Sequence, residues 1–528
     1  MSRKPIRKSS PSKVAVVQTP RIPRDGDMKY RIFLSITAVL ALTAGATQEA
    51  VGRTLSSAPN AAAAAEKPVW PPIESGFSSP ESATDNDAPF SVELASSTSS
   101  TADADPDAES ARISAIEKKL NDFISGSKAT VYPNVKVNGV FQADFGWNRQ
   151  DQNSVDHYGN IKDGVEFRRA RLAASGALTE VNNYFFQMDF AFFGKPTFTD
   201  VWVEQTDLPI LGNVRAGQWK QPFSLEVVSS FRYTTFAERS VLFQPFTPFR
   251  HLGAGFYDRN DALTATWAAS VFAAGQDQYG GSISTAGGVG TSERYTWLPQ
   301  YDEESDGRYY LHLGVGHYFS APSDHAVNFR TIPELYIGAY NQAASAPNQQ
   351  PVPTNITGMP FFVATGTLPV YYYNVLGNEL LWVRGPWSLQ TESMVNFVNQ
   401  TGPNPNLTFW GGYAQIGYFL TGEHRPYDRK AGAIDRIKPF ENFFRVRGDR
   451  GVTCCGSGAW EVATRISHLT LNDGPVRGGT ITDLTAGLNW YLNPYVKWQF
   501  NYIRAYSTTP AGVGGNTDLF DLRLQMDF

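Results

Sequence analysis

From Val131 to its last residue the chain alternates with a period of two. In "VKVNGVFQADFGW", Val135, Val137, Phe141, Ala143, Phe145 and Trp147 fall on one side of an extended strand, and Lys136, Asn138, Gln142 and Asp144 on the other. "NYFFQMDFAF" sets Tyr184, Phe186, Met188, Phe190 and Phe192 against Gln187 and Asp189. "NELLWVRGPWSLQTESMVNFV" reads as a hairpin turning at Arg384-Gly385-Pro386. Its second arm shows Trp387, Leu389, Val395 and Phe397 opposite Ser388, Gln390, Glu392 and Asn396. Successive side chains of a strand point to opposite faces, so each run has one oily and one polar wall. Runs of about ten such residues between turn signals are the pattern of a membrane-spanning β-barrel.

Composition leaves few competitors. Aromatics reach 13% of the 528 residues and charged residues only 18%, below the usual share of about a quarter. Outside the N-terminal region no apolar window is long enough for a membrane helix, which leaves a lipid-facing barrel or a large soluble β-protein. The end of the chain favours the barrel. "DLFDLRLQMDF" alternates Phe520, Leu522, Leu524, Met526 and Phe528 with Asp521, Arg523, Gln525 and Asp527. A solvated tail has no use for that apolar area, and a terminal aromatic after alternating apolar positions resembles the signal read by the barrel-insertion machinery.

A secreted soluble hydrolase is the reading from another class. Its candidate carboxylates, Asp302, Glu303, Glu304 and Asp306, sit in a polar loop, and no blade repeat is visible. Metalloprotease, nucleophile-elbow and P-loop motifs are absent. No catalytic residue, metal site or cofactor is therefore expected. The two cysteines, Cys454 and Cys455, are adjacent, which rules out a disulfide framework. A net charge of −5 offers no surface for nucleic acid.

The beginning of the chain is an address. Lys29 and Arg31, the apolar run from Ile32 to Thr43, and Ala44-Gly45-Ala46 form a secretory signal with cleavage expected after Ala46. Residues 1–46 are assigned to it, with Met28 favoured as the true start. Residues 47–110 are Ala, Ser, Pro and Asp with few large apolar side chains. That segment cannot bury enough to offset its ordering entropy, and is expected to be a disordered periplasmic linker. Ile113, Ile116, Leu120 and Phe123 then predict a short amphipathic helix or coiled coil over 111–126.

Residues 131–528 are expected to form an all-β, antiparallel transmembrane barrel of about sixteen strands. The strands are placed near 135–147, 165–178, 184–193, 198–206, 213–219, 252–258, 262–273, 308–319, 326–339, 374–384, 386–399, 408–420, 459–470, 481–491, 495–506 and 518–528. "TEVNN", "LPILG", "DRND", "APSDH", "RGP" and "LNP" are read as short periplasmic turns, and 220–251, 274–307 and 340–373 as long outward loops. Parity puts the basic segment 421–458 on the periplasmic side, although it is far longer than a turn. Either two strands hide in it, or it folds back into the opening.

"DGVEFRRARLAASGAL" puts Arg169 and Arg171 on the face opposite Ala170, Leu172, Ala174 and Leu178. In a barrel that face is wet, whereas an arginine on the lipid face near the midplane costs about 2–4 kcal/mol. Arg215, Lys220, Arg232, Arg239 and Arg250 are further candidates for a cationic pore lining, which lowers the barrier for anions. Against this stands bracing of the wall by Asp189, Asp200, Glu204 and Glu238. Charge alone leaves the two readings level.

The motifs "FRRARLAASG", "VRAGQWKQPFSLE", "TFAERS", "TPFRHLGAGF", "NELLWVRGPWSLQ", "GYFLTGEHRPYDRKAGAIDRIKP" and "GAWEVATRISHL" together resemble the phosphate-selective porins O and P across residues 131–528. The resemblance implies a sixteen-stranded outer-membrane barrel of the Gram-negative type, usually a homotrimer, surrounded by outer-membrane lipid. Its lumen would be narrowed by an inward third loop and an inward periplasmic segment. It also implies passive diffusion of phosphate, pyrophosphate or polyphosphate-like anions along lumen arginines. By matching position, Arg168, Arg169 and Arg171 would belong to that ladder and Lys220 would begin the constricting loop. Arg239 and Arg250 match positions in or just after that loop, with a structural pairing of Arg239 to Glu238 as the competing role. The alternative function is a general or sugar-passing porin without phosphate preference.

Overall fold

The computed structural model describes residues 117–118, 131–191, 196–274, 287–337, 359–447, 453–509, 512 and 514–528. The chain divides into two compact units, Met1–Ser127 and Lys128–Phe528. Of the first unit only Glu117 and Lys118 are described, and both are helical. The signal at 1–46, the linker at 47–110 and the rest of the helix at 111–126 lie outside the described residues.

The second unit is a closed antiparallel barrel of sixteen long strands. They are β1 (Lys136–Gln150), β2 (Gly164–Ala177), β3 (Asn182–Asp189), β4 (Thr197–Leu208), β5 (Gly212–Lys220), β6 (Arg250–Arg259), β7 (Ala265–Ala273) and β8 (Gly288–Tyr301). The circuit continues with β9 (Tyr309–Pro322), β10 (Leu368–Arg384), β11 (Trp387–Gln400), β12 (Leu407–Phe419), β13 (Ala459–Asp473), β14 (Val476–Asn493), β15 (Val496–Thr508) and β16 (Gly514–Asp527). Each strand pairs with the next, and β16 pairs back onto β1 from Val140↔Asp527 to Gln150↔Thr517. Phe528 completes the seam by exchanging backbone hydrogen bonds with Gly139 at 3.0 and 3.1 Å. Closure matters because an open edge would leave backbone groups unpaired in lipid.

The alternation sorts as the sequence implies. Val137, Trp147, Leu172, Phe186, Trp387, Phe397, Phe520 and Met526 are exposed on the outer wall, while Gln142, Asp144, Gln187, Glu392, Asn396 and Arg523 are buried inside. The interior, however, is not uniformly wet. Leu469, Leu471, Ile481, Ile503, Ala505 and Leu519 also point inward, and they form one apolar cluster with Phe223, Leu242, Phe246, Phe329, Ile332 and Leu335 from the loops.

Two strand placements require correction, and their errors cancel in the count. Residues 288–301, assigned to a long loop, form β8. Its outward positions include Thr291 and Glu293, so no clean apolar stripe marked it. Glu293 is accommodated by His317 Nδ1 at 2.9 Å on the neighbouring strand. Conversely, the described part of the segment placed at 326–339, residues 326–337, is no barrel strand. Ala326–Val327 and Arg330–Thr331 form only two-residue pairings, and Phe329, Ile332, Leu335 and Ile337 are buried in the interior cluster. A stripe of apolar residues buried in the lumen reads like one buried in lipid. "APSDH" consequently opens a loop at the end opposite the chain termini, and is not a turn.

The long segment after β12 does fold back. Tyr427–Asp428 pairs with Ala433–Ile434 in a small hairpin inside the barrel. A second ladder, Phe444–Arg447 with Thr453–Gly456, follows it and carries an exposed free Cys455. Gly432, at the hairpin tip, has a φ of 61°. A Cβ there would lie 2.8 Å from Thr266 Oγ1 and 2.9 Å from Thr296 Oγ1, so the close approach to the wall requires glycine.

Candidate functional site

A β-bulge sets the arginines on β2. The register with β1 runs Gln142↔Arg169 and then Ala143↔Phe167, with Arg168 as the extra residue of the bulge. Strict alternation would send Arg168 towards lipid. The extra residue instead turns both Arg168 and Arg169 inward, where they and Arg171 are 6%, 4% and 5% exposed.

The third loop, residues 221–249, lies across the lumen above them and is tied to the wall at many points. Glu392 accepts hydrogen bonds from the backbone nitrogens of Leu225 (3.1 Å) and Glu226 (2.8 Å). Wall cations take its carbonyls: Lys497 reaches Thr234 O at 3.3 Å, Arg465 reaches Glu238 O at 3.0 Å, and Arg523 donates to Ala237 O. Glu238 is the hub. Arg168 Nε lies 2.8 Å from it, Arg523 Nη2 2.5 Å and Arg169 Nη1 3.8 Å. Burial alone would raise the Glu238 carboxyl, but the guanidiniums of Arg168, Arg523 and Arg169 outweigh it and hold the group well below the usual carboxylate range. Phe231, in the loop, has Arg169, Arg171 and Arg232 over its ring at 4.4, 4.8 and 5.3 Å, a cation–π arrangement that gathers three like charges around one ring.

The other candidates are also held. Arg171 Nε sits 2.7 Å from Asp189, Arg215 Nη2 2.6 Å from Glu204, and Arg250 Nη2 2.6 Å from Asp200. Lys220 Nζ donates to the carbonyls of Val227 and Ser229, both at 2.8 Å. Arg239 Nε donates to Glu226 O at 2.8 Å, and Arg232 Nε approaches Asp527 at 3.6 Å. All four acids proposed as braces thus engage an arginine. Yet the donors are not used up. Arg169 Nε, Arg171 Nη1 and Arg250 Nη1 are buried and have no hydrogen-bond partner among the described residues.

Beside this cluster a cavity of about 700 Å³ lies between β4–β8, the base of the third loop and the tip of the inward hairpin. Arg215 and Lys220 line it. So do Arg259, Arg294 and Lys430, which the sequence reading did not single out. Asp200, Glu204, Asp207 and Asp258 contribute four carboxylates to its five cations. The near balance means that the local field depends on placement and not on net charge. Arg294 is fixed by Glu379 at 2.7 Å and by Gly432 O at 2.8 Å, so the inward hairpin and the wall share one cation. Arg259 could have been found by the inward parity it shares with Tyr257, whereas Lys430 and Arg294 depended on locating the hairpin and β8.

A closed sixteen-stranded barrel with an apolar outer wall, a charged interior and a loop folded across it defines a porin of the outer membrane. The phosphate-selective porin O and P family model matches residues 135–528. The chain belongs to that family. Porin O of Pseudomonas aeruginosa is 25% identical over 417 residues, covering 74% of this chain and 88% of that protein. An uncharacterized protein of Caulobacter vibrioides is 26% identical over 436 residues, covering 77% and 75%. Among solved structures, a loop-deletion mutant of OmpT from Vibrio cholerae covers 75% of this chain and 99% of its own at a TM-score of 0.45 and 10% identity. The outer-membrane channel DcaP of Acinetobacter baumannii covers 75% and 97% at 0.41 and 9%.

Proposed function

We propose that the barrel is a passive pore for small anions, phosphate-like ones in particular, operating as a homotrimer in outer-membrane lipid. The observation that carries this reading is the set of unpartnered guanidinium N–H groups on Arg169, Arg171 and Arg250. Buried donors without acceptors are rare and costly, and an oxyanion supplies what they lack. Lys220 lies within electrostatic reach of Arg239, Arg250 and Arg171 and of one carboxylate, Asp200, so cations predominate among the charges acting on it at the base of the third loop. Asp200, which pairs with Arg250, and Lys220 also line the cavity, so the cluster reaches the cavity edge through these two residues. Membership of a family described as phosphate-selective supports the same reading.

The pairing of each arginine with an acid tempers affinity. An anion exchanges one partial set of hydrogen bonds for the next and is not trapped, as conduction requires. In single-channel recordings in potassium chloride, added phosphate is expected to block the chloride current. Arg171→Ala or Arg169→Ala should weaken that block about tenfold, the worth of one charge-assisted hydrogen-bonding group. Heat-dependent gel mobility checks that the variants are folded. Equal potassium and chloride permeability with no effect of phosphate would reject the reading.

The four braced arginines favour a second reading, a general or sugar-passing pore in which Arg–acid pairs only shape the wall. Proteoliposome swelling in neutral sugars separates the two, because brisk swelling unaffected by phosphate supports the general pore.

A further inference from the structure

We propose that the outer wall formed by β14, β15, β16 and β1 binds a lipid with an anionic phosphate headgroup, seating an acyl chain in a groove and the phosphate between Arg149 and Arg504. The strand register builds the site row by row. Trp147 pairs with Phe520, Phe520 with Tyr502, and Tyr502 with Ala486, giving three outward rings followed by a methyl group. One row lower lie Phe145, Leu522, Phe500 and Leu488. Ala486 is the gap in this apolar wall. A groove of about 660 Å³ lies there, lined by Trp147, Ala486, Leu488, Phe500, Tyr502 and Phe520.

The row above is charged. Arg149 pairs with Asp518, and Asp518 with Arg504. It lies two residues further along each strand, about 7 Å from the aromatic row. Arg504 keeps 53% of its side chain exposed and stands 3.7 Å from Asp518, too far for a hydrogen bond. Asp518 Oδ1 is instead engaged by Tyr502 Oη at 2.7 Å. Arg149 is exposed and makes no ion pair among the described residues. Asp151, the other carboxylate within reach of Arg504, is likewise taken up by Ser154 N and Asn516. Two exposed guanidiniums whose neighbouring acids are engaged elsewhere, at the loop end of the barrel and directly above an apolar groove, match a molecule with a negative head and a hydrocarbon tail. Inorganic phosphate would use only the upper half of this site. A single acyl chain with its headgroup uses both.

Native mass spectrometry of the full-length porin in detergent, titrated with phosphatidylglycerol or phosphatidylcholine, tests this. Phosphatidylglycerol should be retained preferentially. Arg149→Ser and Arg504→Ser should each weaken it about fivefold, as expected for one basic residue near a lipid phosphate. Ala486→Phe should fill the groove and abolish retention while heat-dependent mobility shows an intact barrel. Equal retention of the two lipids would overturn the proposal, and so would displacement of phosphatidylglycerol by inorganic phosphate. If Ala486→Phe altered oligomer mobility and left lipid retention unchanged, the groove would belong to a contact between copies, and the proposal would fail.

Discussion

Replacing Glu238 with alanine is expected to destabilise the folded barrel by about 3–5 kcal/mol, the range for removing one partner of a buried ion pair. Arg168 loses bonds of 2.8 and 3.2 Å, and Arg523 loses one of its two carboxylates, keeping Asp144. Arg169, 3.8 Å away, loses its nearest countercharge. Three guanidiniums then share a low-dielectric space in which their repulsion is poorly screened. The third loop is fastened at this point, so its release should also make the single-channel current noisy. Chemical unfolding of the detergent-refolded protein measures the stability. Glu303→Ala is the control. That carboxylate pairs with Arg429 at 2.7 Å but is 69% exposed, and such a pair contributes about 0–1 kcal/mol. Equal effects of the two substitutions would show that the third loop is held by its backbone contacts and not by Glu238.

Gly432→Val is expected to widen the conducting path. At a φ of 61° a β-branched residue is strained by about 1–3 kcal/mol. Its Cβ would also press on the hydroxyls of Thr266 and Thr296, which hydrogen-bond each other at 2.6 Å. The hairpin tip must then leave the wall, and Arg294 gives up its bond to Gly432 O. Other ties remain: Ile434 N to Ser229 Oγ at 3.0 Å, Tyr427 Oη to His312 Nδ1 at 2.6 Å, and Arg425 to Glu461. The expected result is therefore a displaced tip on an intact segment, read as higher single-channel conductance with unchanged heat-dependent mobility. Gly432→Ala should give a smaller change in the same direction. Unchanged conductance in both variants would place the narrowest point at the third loop.

The two predictions separate the obstacles in the lumen. Glu238 fastens the loop that enters from one end, and Gly432 lets the segment from the other end reach the cavity wall. Arg294 ties the second of these to the wall, bonded to the hairpin and to Glu379. A cation held in this way is fixed to the wall, whereas Arg169, Arg171 and Arg250 each keep a buried donor with no partner among the described residues.

The alternation alone determined the class of fold. Period-two runs with a complete apolar face can be satisfied only where one side meets lipid or a core, and the ends of the runs at Arg384 and Phe528 fall within a residue of the observed strand ends, although both strands begin several residues earlier than the pattern indicates. The inward direction of Arg169 and Arg171 and the involvement of Asp189, Asp200, Glu204 and Glu238 were legible for the same reason. What the pattern could not convey is which apolar environment a stripe faces. Phe329, Ile332 and Leu335 looked like a wall strand because burial in the lumen and burial in lipid select the same side chains, while Glu293 hid a real strand. Only the tertiary structure decided the bulge that turns Arg168 inward, the hairpin that brings Lys430 to the cavity, and the partners that leave donors on Arg169, Arg171 and Arg250 unclaimed. Each depends on contacts between residues far apart in the chain, and local periodicity carries no record of those.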